Sequence, residues 1–113
     1  MTAAEFTRLL AERVLVCDGA MGTMLYGKGV TVHQNFDGLN LQRPELVAEI
    51  HRAYAQAGVD ILETNTFGAN RLKLGEYGIA GQLAAINRAG VALAREAAPP
   101  GVLVAAAIGP LGV

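Results

Sequence analysis

The sequence has one cysteine, Cys17, no tryptophan, and nine Lys and Arg against ten Asp and Glu. Each shortage excludes something. A single thiol cannot make an internal disulfide, a CxxC pair or a cysteine-rich metal site, and a reducing, cytoplasmic setting is the expectation. A formal charge of -1 leaves no clustered cations to neutralise phosphates, so neither nucleic acid nor an acidic membrane surface is an expected partner. No apolar run approaches the ~18 residues a membrane span needs, and the polar TAAEF start has no basic, signal-like flank.

What remains is apolar. At 52% hydrophobic and 17% charged, the chain is too rich in core-forming residues for disorder. Its length suits one domain over 1–113, although a chain of this size buries only about 65% of its unfolded surface.

Local signals divide it further. Thr2 and Glu5 form a T-x-x-E capping box ahead of Phe6, Leu9 and Leu10 at helical spacing. Arg13 to Cys17 is a short β-branched run ended by Asp18-Gly19, read as a fully buried strand, and a Gly-rich loop follows. Pro44 opens a helix with Leu46, Val47, Ile50, Ala53, Tyr54 and Ala57 on one stripe, and Gly58 closes it. Val59 to Leu62 is a second strand, ending in Glu63-Thr64-Asn65-Thr66. Ala69 to Gly75 is a short helical turn. From Gln82, the positions Leu83, Ile86, Gly90, Leu93 and Ala97 line a longer helix, stopped by Pro99-Pro100-Gly101. Val102 to Ile108 is a third strand, with Gly109-Pro110 as its exit.

Strands apolar throughout and alternating with helices indicate an α/β fold with a parallel sheet. Val14, Val59 and Val102 recur at similar spacing, as in repeated βα units. Such units build an open doubly wound sheet or a closed eight-stranded barrel, and this chain supplies three strands of eight. It ends just past a strand with no covering helix, which leaves an open sheet edge. The expectation is therefore the N-terminal piece of a longer protein, the remaining segments or a second copy covering that edge.

Parallel α/β folds bind ligands beyond the carboxyl ends of their strands. Those ends carry Asp18-Gly19-Ala20-Met21-Gly22-Thr23, Glu63 to Phe67, and Gly109-Pro110. One carboxylate beside open backbone N–H groups suits a ligand with both a cation and an anion, such as an amino acid. Asp18 is either such a ligand residue or an Asx turn at the strand exit. Glu63 and Asn65 either contact the ligand or belong to a network stabilising the rim.

The segments VLVCDGAMGTMLYGKG, NFDGLNLQRPELVAEIHRAYAQAGVDILETNTFGANRLKL and AAIGPLG, in that order, resemble the homocysteine S-methyltransferase family over nearly the whole chain. The resemblance extends to the homocysteine-binding barrels of cobalamin-dependent methionine synthases and of the fusions with methylenetetrahydrofolate reductase. It implies a (β/α)8 TIM barrel that binds homocysteine and a zinc ion and methylates the sulfur to give methionine. A thiol of pKa ~8.5 is only a few per cent thiolate at neutral pH, and metal coordination removes its proton. By the same resemblance Asp18 holds the α-amino group, Gly19 and Ala20 offer close backbone, and Thr64 lines the pocket, with Glu63 and Asn65 adjacent. The family's zinc is held by three cysteines from late strands, including a Gly-Gly-Cys-Cys segment. None of these segments occurs here, so this chain carries no metal ligand and no catalytic residue of its own. Cobalamin, a folate-linked system, or a sulfonium or betaine compound all fit as methyl donor.

Other features read as structure. Cys17 lies inside the first strand and is expected to be a small buried core residue. Gly22 to Gly29 falls one residue short of a phosphate-binding G-x-x-x-x-G-K-[ST], because Gly29 replaces the hydroxyl that meets Mg²⁺. His33 and His51 are too far apart for a helical metal pair, and His51, beside the apolar stripe, is expected to be exposed or hydrogen-bonded. Gly75, Gly78 and Gly81 follow no strand and read as turn glycines, and the aromatics are scattered. A second reading from a different class is a non-catalytic chain that keeps a small-molecule pocket or an assembly surface.

Overall fold

A computed structural model describes residues 1–113. Its first helix, α1 (Ala3–Glu12), is set by the expected cap: the Glu5 amide donates to Thr2 Oγ1 at 3.2 Å, and the Glu5 carboxylate accepts from the Thr2 amide. No residue of α1 is buried, so the cap carries much of its stability. Thr2→Ala is expected to cost the helix about 1 kcal/mol, read as lost α1 amide protection in hydrogen exchange.

The chain then runs extended beside β1 (Ile61–Glu63), with one parallel bridge between Cys17 and Ile61. Asp60 fixes this approach. Its two carboxylate oxygens take the Arg13 guanidinium and the Val16 amide, each at 2.9 Å, and its own amide donates to the Val16 carbonyl at 2.8 Å. The expected first strand is therefore a bridge rather than a ladder, and it is not buried: Val14 is 86% and Val16 55% exposed, and Cys17 is exposed as well. This corrects the reading of Cys17 as a core residue. The segment lies at a sheet edge, and no element of residues 1–113 covers its outer side.

Two short helices, α2 (Gly22–Gly27) and α3 (Leu39–Gln42), occupy the stretch read as a loop. Helix α4 (Pro44–Gln56) starts at its proline and stops before Gly58, whose φ of +96° a residue with a side chain rarely adopts. After β1 come α5 (Arg71–Gly75), capped by the Asn70 side chain, a 3₁₀ turn (Ala80–Gln82), and α6 (Leu83–Ala97). β2 (Leu103–Ala105) pairs parallel with β1, in the register Ile61 to Leu103, Leu62 to Val104 and Glu63 to Ala105. The apolar run from Val102 to Ile108 is thus a strand only in its first half. Beyond Ala105 the backbone turns to the hydroxyls of Thr64 and Thr66, and Ile108 ends 90% exposed.

Helices α4 and α6 pack together beside the sheet. One apolar cluster joins Leu25, Val30, Leu39, Val47 and Ile50, and a second joins Ala69, Leu74 and Ile86. Gly90 lets α6 come close: a Cβ there would lie 2.6 Å from Thr66 Cγ2 and 2.9 Å from Asn40 Nδ2. His51 departs from expectation, being fully buried with both ring nitrogens unpartnered. Loss of solvation holds its pKa below 6.5. No helix is long and apolar enough to cross a membrane.

Candidate functional site

An open cavity of about 820 Å³ lies at the carboxyl ends of the extended segments, and its lining contains all six residues expected there, Asp18, Gly19, Ala20, Glu63, Thr64 and Asn65. They arrive by two routes. The first segment delivers Asp18 level with β1, because the Asp18 amide donates to the Ile61 carbonyl at 3.0 Å. β1 ends at Glu63 and delivers the next three residues, of which Thr64, Asn65 and Thr66 are buried.

Asp18 reaches across rather than into its own turn. Its Oδ2 accepts from the Glu63 amide at 3.0 Å, while Oδ1 is sealed from solvent with no partner. Loss of solvation raises the carboxyl above its ordinary 3.8, and the neighbouring Glu63 carboxylate adds to the rise. The turn that follows offers unspent donors: the amides of Gly19, Ala20 and Met21 have no hydrogen-bond partner in the chain. A carboxylate in the cavity lining therefore lies next in sequence to amides short of an acceptor, a complementary arrangement for a zwitterion.

The Thr64 hydroxyl can be assigned a direction. Thr66 Oγ1 lies 2.8 Å from the Ala107 carbonyl, which can only accept, so Thr66 donates there. The 2.6 Å contact between the two hydroxyls must then be donated by Thr64, whose oxygen also accepts the Ala107 amide at 3.1 Å. With its proton used, Thr64 can only accept from a ligand. It suits the ammonium end of an amino acid, not the carboxylate.

Asn65 belongs to a lock. Its Nδ2 donates to the Phe36 carbonyl at 2.9 Å and to Asn40 Oδ1 at 3.0 Å, and Asn40 Nδ2 returns the bond to the Asn65 carbonyl at 2.8 Å. Of the two alternatives open in the sequence, the stabilising network describes Asn65. Glu63 gives its amide to Asp18 and leaves its side chain exposed.

The sequence reading assigns no role to Asp37, a further carboxylate in this cavity. It is 7% exposed, accepts the Gly68 amide at 3.2 Å, and is raised above 3.8 by loss of solvation. Its local sequence offers only an Asp-Gly pair, a pattern that marks turns rather than buried carboxylates. Phe36 and Tyr26 meet edge to face at 5.2 Å on another part of the lining.

The three-thiolate zinc site that the resemblance implies does not fit these residues. Cys17 is the single thiol and is exposed, and nowhere do three His, Cys, Asp or Glu side chains gather in a geometry for a metal. The near-phosphate loop is also spent: Lys28 pairs with Glu49 at 2.7 Å.

Comparison with known proteins is consistent with this geometry. The sequence profile of the family described as Homocysteine S-methyltransferase matches residues 15–113. A methionine synthase of Mycobacterium leprae is 44% identical over 101 residues, covering 83% of this chain and 8% of that protein. A methionine synthase of Mycobacterium tuberculosis is 43% identical over 97 residues, covering 80% and 8%. Among solved structures, the metallated form of the homocysteine methyltransferase MmuM from Escherichia coli superposes with a TM-score of 0.78 at 30% identity, covering 93% of this chain and 41% of that one. Its oxidized form gives 0.78 at 29% identity. The chain thus spans less than a tenth of the length of these methionine synthases and about two fifths of the bacterial methyltransferase.

Proposed function

Because the chain belongs to the homocysteine S-methyltransferase family, we propose that residues 1–113 are the first three βα units of a (β/α)8 barrel and form the amino-acid end of its homocysteine site. The observation that carries this reading is the pairing of Asp18 and Thr64, from neighbouring strand ends, in the lining of one cavity.

In this reading the Asp18 carboxylate, which lines the cavity, and the Thr64 oxygen receive the α-ammonium of homocysteine. The free amides of Gly19 and Ala20 receive its carboxylate. With both charged groups held, the thiol extends into the rest of the cavity toward the methyl donor. Methyl transfer forms one S–C bond as the donor's bond to the methyl breaks, and the thiol proton departs. These residues bind and orient the nucleophile, which lowers the entropic part of the barrel's task. No group among them is placed to make the thiolate, and a zinc-thiolate step belongs to segments outside 1–113.

L-Homocysteine, added under reducing conditions, is expected to shift the Gly19, Ala20 and Thr64 amide resonances in a saturable way. Asp18→Asn keeps the shape and removes the charge, and is expected to weaken binding tenfold or more, on the order of a lost charge-assisted hydrogen bond. The wild-type affinity is expected to fall in acid as Asp18 takes up a proton, starting above pH 3.8 because its carboxyl is raised. An unchanged affinity in Asp18→Asn removes Asp18 from the ammonium role.

A further inference from the structure

Helical spacing places Tyr54 on the apolar stripe of α4, and its ring packs against the cluster of Leu25, Val47 and Ile50. Its far end does something else. The hydroxyl donates to the Ala20 carbonyl at 2.8 Å. The same oxygen lies 3.0 Å, and a ring carbon 3.4 Å, from where a Cβ on Gly19 would stand. No other side chain bonds to Gly19, Ala20 or Met21, and the backbone holds this turn only at its ends, through the Asp18 amide and the Met21 carbonyl. A rigid helix thus grips the middle of a turn whose amides are otherwise free.

We propose that Tyr54 is a positioning residue for the ligand's carboxylate: by holding the Ala20 carbonyl and covering Gly19, it aims the free amides of the turn into the cavity. This rests on the homocysteine reading above and adds a division of labour to it. Asp18 is anchored independently by the Glu63 amide, so the ammonium end does not depend on Tyr54. The carboxylate end does, since amides on an unrestrained turn would have to be ordered at the expense of binding.

Two thiols separate the ends. L-Homocysteine carries both charged groups, and 3-mercaptopropan-1-amine is the same chain without the carboxylate. Both are titrated onto the 113-residue chain and followed by amide resonances. Tyr54→Phe, which keeps the ring and removes the hydroxyl, is expected to weaken L-homocysteine about fivefold and leave the amine's affinity at the wild-type value. Asp18→Asn is expected to weaken both. Tyr54→Leu, which keeps apolar bulk on α4 and also lacks the hydroxyl that holds the Ala20 carbonyl, is expected to repeat the Tyr54→Phe pattern. Equal weakening of both ligands, or of neither, overturns the proposal, because a packing role would not distinguish them. A wild-type chain that binds neither thiol overturns the functional reading and this proposal together; a wild type that binds both, with unchanged selectivity in Tyr54→Phe and Tyr54→Leu, overturns the proposal alone.

Discussion

Replacing Asn40 with alanine is expected to lower the unfolding free energy by about 3–5 kcal/mol, enough to unfold much of a marginally stable domain. The side chain is 2% exposed and makes three hydrogen bonds, donating to the Asn65 and Ile86 carbonyls at 2.8 and 3.2 Å and accepting from Asn65 Nδ2 at 3.0 Å. Truncation leaves those groups without their partner in the buried interior. Each orphaned buried group costs about 1–3 kcal/mol, and groups in one network do not add fully. Because Asn40 joins α3 to the end of β1 and to α6, the cavity wall at Asn65 should loosen with it. Urea unfolding measures the loss, and a change below about 1 kcal/mol would mean that the reciprocal amides hold little.

His51 gives the opposite sign. Its imidazole is fully buried and neither nitrogen has a partner, so an apolar side chain of similar volume relieves a penalty. His51→Leu is expected to stabilise the fold by about 1–3 kcal/mol. The pH dependence follows from the lowered pKa. The unfolded chain takes up a proton as pH falls through about 6.5, and the folded chain does so only at lower pH. Stability is therefore full above about 6.5 and declines below it until the folded value is reached. The raised carboxyls of Asp18 and Asp37 act the other way, because the folded state protonates them first and gains stability as pH falls through their raised values. Urea midpoints compared for wild type and His51→Leu from pH 8 to 5.5 isolate the histidine: the gap between the two should widen as acid is added. A constant gap would refute its burial as a neutral base.

Much of this was readable in advance, and the reasons differ by element. The cap at Thr2, the proline start of α4 and the proline stop after α6 are local chemistry, and local chemistry survives tertiary context. The site was legible for a topological reason: parallel strands present their carboxyl ends on one side, so Asp18 and Thr64 were expected to meet. Burial was less legible. An apolar run such as Val14 to Cys17 reads as core only if something covers it, and that depends on distant residues. His51 flanks the stripe of α4 and reads as peripheral, yet elements distant in sequence pack against that helix and the side chain is fully buried. Asp37 and Asn40 lay in a stretch read as loop, where polar residues signal turns, and only long-range pairing with Gly68 and Asn65 gives them a role.

Asp60 stands outside the cavity but governs its geometry. Parallel neighbours can slip by two residues and still present the same faces, so side-chain alternation alone does not forbid that error. With one carboxylate clasping Arg13 and the Val16 amide, a two-residue slide would strip both contacts at once. Asp18 sits two positions beyond Val16, so the same clasp fixes which amide its carboxylate finds. A salt bridge on the outside acts as the vernier by which the pocket is aligned.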